Sequence, residues 1–142
     1  MENNLADRLE IQDILTRYAA GVDDRNFDMY RDCFAKDAEI VGFSGGPIIG
    51  ADTWTEEVKS KLEAFDATQH LLGPQLVNIE DDNAFTRTDV QALHYLKDKP
   101  DETLTLWAVY LTNYRRIDGE WKISSRVLTK IWTEGNEKVV NP

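Results

Sequence analysis

The sequence contains few of the residues that mark several common classes of protein. Its 142 residues include a single cysteine, which excludes a disulfide within the chain, and only two histidines. No run approaches the roughly 18 apolar residues needed to cross a bilayer, and the start lacks the basic and then apolar pattern of a signal peptide. We therefore expect a cytoplasmic protein without a membrane span.

Positive charge is also scarce. The chain has 16 Lys and Arg against 26 Asp and Glu, which gives a formal net charge of −10. Because nucleic-acid affinity depends on clustered Lys and Arg that contact phosphates, neither nucleic acid nor an anionic membrane is an expected partner. The acidic residues are spread over helix starts and turns, which is typical of a solvated surface.

The length and composition are those of one ordinary domain. With 42% hydrophobic and 30% charged residues, the chain falls in the globular range. No linker, repeat or low-complexity segment divides it. Residues 1–142 are therefore predicted to form a single domain.

The first half of the sequence shows helical periodicity. Apolar residues recur at intervals of three and four over residues 5–22, which predicts an amphipathic helix. A short second helix is predicted at 27–34 and a third at about 54–65. Asp52 or Thr53 is the expected N-cap of the third helix.

Strand-like runs fill most of the remaining sequence. A short hairpin is predicted at 38–50, with its turn at 44–47. Four longer runs follow, at 68–80, 84–97, 103–117 and 120–133. Asp118-Gly119 is a favoured hairpin turn, because both positions tolerate positive φ. These patterns predict an α+β domain in which three helices pack on one curved, mainly antiparallel sheet around a cavity.

The two histidines are the first candidates for proton transfer near neutral pH, since the unperturbed pKa of histidine is near 6.5. Strand alternation places both His70 and His94 on the less polar faces of their strands. A lone histidine in that position is more often a core residue with satisfied hydrogen bonds. Asp23, directly after the first helix, is able to accept a hydrogen bond from one imidazole, and the three residues together favour a site.

Two other polar residues leave alternatives open. Alternation in the last strand puts Arg126 and Leu128 opposite Trp121 and Ile123. At a surface such an arginine forms ion pairs of small value, whereas in a cavity it binds a carboxylate, phenolate or enolate. Tyr18 is similar, because its hydroxyl needs a partner in a core but donates to a substrate in a cavity.

Motifs for metals and cofactors have little support. Two histidines and an aspartate form metal sites in some proteins, but His70 and His94 are 24 residues apart and no short His-x-His or Cys pair is present. No phosphate loop, nucleophile elbow or dinucleotide glycine fingerprint occurs. We expect no metal and no cofactor. Cys33 is predicted to be a buried structural residue.

Segment 8–39 resembles the N-terminal signature of SnoaL-like proteins. The resemblance rests on RLEIQDILTRYAAGVDDRNFDMYRDCFAKDAE at 8–39, TQH at 68–70 and DGEWKI at 118–123. This family belongs to the nuclear transport factor 2-like superfamily, so the resemblance implies a cone of α+β structure around a deep pocket. The chain is most similar to the branch that contains scytalone dehydratase, bile acid 7α-dehydratase and hexachlorocyclohexane dehydrochlorinase.

The resemblance implies roles for five residues. Asp23 matches an aspartate that pairs with a strand histidine, and His70 matches that histidine, which abstracts the substrate proton. Tyr18 matches a tyrosine of the bile acid enzyme, and Arg126 matches a pocket arginine of that enzyme and of the dehydrochlorinase. His94 resembles the second histidine of scytalone dehydratase, which implies a donor to the departing hydroxide.

The implied function is a cofactor-independent lyase that removes a proton next to a carbonyl and eliminates water or another leaving group. Its substrate would be a small apolar, steroid-like or polyketide-like molecule. Val22 stands where scytalone dehydratase has a substrate-binding tyrosine, so scytalone itself is not implied. An isomerase or cyclase with the same base, a non-catalytic ligand-binding protein and a structural oxygenase subunit remain alternatives.

The resemblance also implies assembly into a homodimer or homotrimer through the open sheet. Six aromatic residues are candidates for the wall of the substrate pocket, although most suit a core equally well. They are Phe43, Trp54, Tyr95, Trp107, Tyr110 and Trp132.

Overall fold

A computed structural model describes residues 4–43 and 45–136 of the chain, and Ser44 of the predicted turn lies outside these ranges. The three helices are α1 (Leu5–Asp23), α2 (Phe27–Asp32) and α3 (Ala51–Leu62). The strands are β1 (Phe34–Val41), β2 (Ile48–Ile49), β3 (Phe65–Leu72), β4 (Leu76–Glu80), β5 (Asn83–Leu96), β6 (Thr103–Ile117) and β7 (Glu120–Gly135). No described helix is both long and apolar enough to cross a membrane.

The strands form one curved sheet in the order β2-β1-β7-β6-β5-β3, and β4 also pairs with β5. Within the described ranges, β1 and β7 are parallel and the other pairs are antiparallel. The helices pack on the inner face of the sheet, where most of the buried apolar residues lie. The predicted α+β fold with a mainly antiparallel sheet is confirmed.

The third helix begins earlier than its pattern predicts. Gly50 is its N-cap, with a φ of +105°, and no side chain caps the helix. Asp52 and Thr53 therefore do not cap it; Asp52 lies in the first turn, where a negative charge favours the positive end of the helix dipole. The predicted second helix also ends sooner, because Phe34 already belongs to β1.

The predicted strand 68–80 is two strands. The break follows Leu72, because Pro74 has no N–H to donate to a ladder and Gly73 turns its N–H to the carbonyl of Asp89 at 2.8 Å. Alternation counted from His70 is therefore valid only as far as Leu72.

A β-bulge changes which side chains of β7 face inward. The β6–β7 register shifts between Asn113 and Tyr114 and leaves Ser124 without a partner. The extra residue reverses the alternation, so Trp121 and Arg126 are both buried on the inner side. Simple alternation had placed these two side chains on opposite faces, and that prediction is wrong.

Helix α1 is fixed to the sheet at its first turn. Arg116 donates two hydrogen bonds to the carboxylate of Asp7, at 3.0 and 3.2 Å, and the indole N–H of Trp121 donates a third at 3.0 Å. The hydrogen bond from Arg116 is the main reason that the pKa of Asp7 lies below its usual value. The helix then runs to Asp23, its last residue, beside β3.

We expect Gly42→Ala to lower the free energy of unfolding by at least about 2 kcal/mol. Gly42 has a φ of +104°, and a Cβ there would clash with the carbonyl oxygen of Leu128. The left-handed conformation alone costs an L-residue roughly 1–2 kcal/mol, and the backbone clash adds to this cost. Urea unfolding measures the loss.

Gly45→Ala is the matched control, because Gly45 has a similar φ of +101° and its Cβ would meet nothing within 4 Å. It should show only the conformational cost. Equal losses in the two variants would contradict the role given to the contact with Leu128.

Candidate active site

Asp23 at the end of α1 and His70 in β3 form a hydrogen-bonded pair. Nδ1 of His70 lies 2.8 Å from Oδ1 of Asp23, and the backbone N–H of His70 donates to Oδ2 at 2.7 Å. An ionised carboxylate only accepts hydrogen bonds, so Nδ1 carries the proton and Nε2 remains unprotonated in the neutral ring. The geometry thus leaves Nε2 of His70 as the basic nitrogen.

Two residues that sequence reasoning missed support this pair. The hydroxyl of Thr68 donates to Oδ1 of Asp23 at 3.0 Å, and Arg25 donates to the Thr68 oxygen at 2.8 Å and to the carbonyl of Val22 at 2.6 Å. Thr68 lies two residues before His70 and therefore on the same side of the strand, which was the available signal.

Competing effects set the protonation of Asp23. Burial acts to raise its pKa, but the hydrogen bonds from His70 and Thr68 outweigh burial and hold the pKa below its usual value. Asp23 is therefore ionised at neutral pH.

His94 lies diagonally across from His70 on the same face of the sheet. It pairs with Thr68 in the β3–β5 register, and the two imidazole centroids are 6.1 Å apart. Nδ1 of His94 donates to the carbonyl of Leu104 at 3.0 Å, and its ring contacts Phe65 at 4.8 Å.

Burial lowers the pKa of His94. The neutral ring, with Nδ1–H given to Leu104, presents Nε2 as a hydrogen-bond acceptor. This arrangement does not suit the predicted role of His94 as the acid that protonates a leaving group.

Both histidines line a cavity of about 300 Å³ between the sheet and the helices. Its volume equals that of about ten water molecules and lies at the lower end for small-molecule pockets. The walls are mainly apolar. Besides the two histidines, four of the predicted site and pocket residues lie in them, namely Tyr18, Phe43, Trp54 and Tyr110.

The other three predicted pocket aromatics do not reach this cavity. Tyr95 follows the inward-facing His94 and is exposed, while Trp107 and Trp132 pair with each other and line a separate, more open depression. Aromatic character alone does not show which face of a strand is concave, and the structure does not place these three side chains in the wall of the cavity.

Arg126 lies behind the aromatic wall of the cavity. It is 0% exposed, and its guanidinium carbon is 4.5 Å from the ring centroid of Tyr18, 4.6 Å from that of Tyr110 and 5.7 Å from those of Phe43 and Trp54. Its three nitrogens have no hydrogen-bond partner among the described residues. Burial lowers its pKa to about 9, so Arg126 is a cation at neutral pH.

Other reactive or metal-binding groups are absent from the described part of the chain. Residues 4–43 and 45–136 contain no group of three His, Cys, Asp or Glu side chains placed to hold a metal ion. Burial raises the pKa of Cys33 to about 11, and its thiol faces the carbonyls of Ile14 and Met29. Such a thiol is unreactive at neutral pH.

The sequence profile of the SnoaL-like domain matches residues 3–127. The chain belongs to the SnoaL-like family. An uncharacterised protein of Mycobacterium tuberculosis is 30% identical over 130 residues, which cover 89% of this chain and 86% of that protein. Its curated name assigns no activity.

Solved structures show the same fold. The crystal structure of the Kfla4162 protein from Kribbella flavida aligns with a TM-score of 0.89 and 26% identity over 99% of this chain and 100% of that one. The type 2 hexachlorocyclohexane dehydrochlorinase LinA aligns with a TM-score of 0.85 and 24% identity, over 94% and 90% of the two chains. The SnoaL-like chain thus has a nuclear transport factor 2-like fold.

We expect Thr68→Val to reduce the free energy of unfolding by about 2 kcal/mol at neutral pH, the usual net value of a hydrogen bond to a charged group. Asp23 has a lowered folded-state pKa, so the stability it contributes is present above its unfolded pKa and is lost as pH falls through the folded value. The cost of the substitution should therefore shrink in acid. Denaturant unfolding at about pH 7 and pH 3 measures it.

Thr88→Val is the matched control. Thr88 is a fully buried strand residue, and its hydroxyl has no hydrogen-bond partner among the described residues. Removal of the Thr88 hydroxyl should leave the free energy of unfolding nearly unchanged at both pH values. A Thr68→Val cost that does not change with pH would count against the support of Asp23 by this hydroxyl.

Proposed function

We propose that this SnoaL-like protein is a cofactor-independent lyase, which removes a proton next to a carbonyl and eliminates water or another leaving group from a small apolar molecule. The observation that carries the proposal is the 2.8 Å hydrogen bond between Asp23 and His70, because it leaves Nε2 of His70 basic beside an apolar cavity. The LinA neighbour, named as a dehydrochlorinase, supports an elimination through its fold alone.

In the first step, Nε2 of His70 takes the α-proton of the substrate, and the carboxylate of Asp23 stabilises the imidazolium that forms. Negative charge then develops on the carbonyl oxygen. Arg126 and Tyr18 stabilise this charge, the first as a buried cation and the second through its hydroxyl. An unpaired buried cation is costly to the folded protein, and a negative charge nearby reduces that cost. Arg126 therefore stabilises the negatively charged transition state more than the neutral ground state.

In the second step, the bond between the β-carbon and the hydroxyl oxygen breaks and the carbon–carbon double bond forms. The proton held by Nε2 of His70 joins the departing hydroxide, so water leaves and the imidazole is neutral again. His94 does not donate this proton; its Nε2 accepts a hydrogen bond from the substrate hydroxyl and orients it.

The cavity volume is compatible with the proposed substrate class. A cavity of about 300 Å³ lies within the range of small-molecule pockets, so it suits a small apolar carbonyl compound of polyketide or steroid type.

We expect His70→Ala and Asp23→Asn to slow the elimination at least about 100-fold with the fold intact, because a positioned acid–base group contributes that much. A suitable probe is 3-hydroxy-1-tetralone, a two-ring β-hydroxy ketone. Its loss of water yields 1-naphthol, which is followed by fluorescence, and circular dichroism checks the fold of each variant.

Asp24→Asn is the matched control, since Asp24 is the next carboxylate and is exposed. It should keep full activity. Wild-type rates of elimination in both His70→Ala and Asp23→Asn would contradict the proposal. Exchange of the α-proton of the probe in deuterated water, without loss of water from the probe, would favour the isomerase or cyclase. Binding of the probe without exchange or elimination would favour the ligand-binding protein.

We also propose that residues 1–142 form one cytoplasmic domain, which assembles with copies of itself into a homodimer or homotrimer. The outer face of the sheet supports the assembly, because Leu71, Ile131 and Trp132 are 50%, 60% and 62% exposed there. Symmetric copies would cover this apolar surface.

We expect Trp132→Lys to shift the assembly to monomers, because burial of an unpaired charge in an apolar interface is costly. Light scattering after size-exclusion chromatography measures the mass. Leu9→Lys is the control, since Leu9 is similarly exposed but lies on α1. A wild-type monomer, or an unchanged mass of the Trp132 variant, would contradict this interface.

A further inference from the structure

The cavity has a charge opposite in sign to that of the whole chain. The net charge is −10, yet the Lys and Asp or Glu side chains among the described lining residues are two lysines, Lys61 and Lys130, and no acid. Behind the wall, Arg126 adds a third cation, and the ionised carboxylate of Asp23 lies behind His70 as an anion. The walls between these groups are apolar, so an anion bound there would lose part of its contact with screening solvent.

Lys61 is held against the aromatic part of the wall. It lies in the last turn of α3 and is half-buried, and its Nζ is 5.0 Å from the ring centroid of Phe43 and 5.9 Å from that of Trp54. No described carboxylate forms an ion pair with it, whereas Lys59 on the same helix is 3.5 Å from Glu56. The ammonium group of Lys61 thus faces the cavity without an anionic partner.

Lys130 extends the same inner face of β7 as Arg126 and Leu128. It is four residues beyond Arg126, about 13 Å along an extended strand, and is exposed. It likewise forms no ion pair with a described carboxylate. Cations therefore border the cavity both behind its aromatic wall and farther along the strand.

We propose that the substrate of this site carries a carboxylate, which Lys61 binds with the help of Lys130 while the apolar body fills the cavity beside His70. This inference rests on the proposed function only in taking the occupant to be a substrate. A charge-assisted hydrogen bond is about twice as strong as a neutral one, and a neutral occupant would cover the ammonium group without pairing it.

The test uses two molecules of the same shape that differ in charge. These are 2-naphthoate and its neutral isostere 2-naphthamide, titrated into the full-length protein by calorimetry at about pH 8 and low ionic strength, where free histidine is neutral. Wild-type protein should bind naphthoate about tenfold more tightly than naphthamide, and added salt should reduce this preference. An equal or weaker affinity for naphthoate, or binding of neither molecule, would overturn the proposal.

Lys61→Met keeps the apolar stem and removes the charge. We expect its preference for naphthoate to fall to within about twofold of unity, with the affinity for naphthamide nearly unchanged, and Lys130→Met to lower the preference less. Lys59→Met is the matched control on the same helix and should keep the wild-type preference. A preference that survives in the Lys61→Met/Lys130→Met double variant would assign the carboxylate to Arg126 or His70 instead and refute the role of the lysines.

The naphthoate titration is independent of the activity assay of His70→Ala and Asp23→Asn, because it measures binding without turnover. Loss of the naphthoate preference in Lys61→Met together with full activity of His70→Ala would support the anion site and refute the lyase. An unchanged naphthoate preference in Lys61→Met together with loss of activity in His70→Ala would support the lyase and refute the anion site.

Discussion

The hydrogen bonds that Asp23 accepts connect the parts on which the site depends. Its carboxylate receives the side chain and the backbone N–H of His70 and the hydroxyl of Thr68, so the end of a helix is joined to a strand. These contacts fix the tautomer of the imidazole and keep Asp23 ionised. Because both partners belong to regular elements rather than loops, the basic nitrogen is held in a narrow range of positions relative to the cavity.

Arg126 differs from Asp23, because the fold buries its charge without a hydrogen-bond partner among the described residues. The bulge at Ser124 turns it inward, and four aromatic rings surround its guanidinium. Ring faces attract a cation but replace only part of its lost hydration. The folded state therefore carries a local cost at the point where the proposed reaction develops negative charge, as is common where stability is exchanged for function.

Regular periodicity made much of the fold predictable, and β6 has the predicted bounds of 103–117. Asp23 and His70 were joined by resemblance to a family, since no local pattern connects residues 47 positions apart. The inward turn of Arg126 depends on a bulge, which alternation does not reveal. Lys61 and the outward position of Trp132 depend on which face each element turns to the cavity, and tertiary packing sets that choice.

Helix α1 is attached to the sheet at both of its ends, so its length is constrained. Asp7 is held by Arg116 and Trp121, and 16 residues later Asp23 is held by His70, so the helix spans about 24 Å between two fixed points. One inserted or deleted residue would rotate one end by about 100° relative to the other and separate one carboxylate from its donors. Changes in chain length should thus be tolerated in exposed loops such as 97–102 but not within this helix, because its length sets the distance between the two carboxylates.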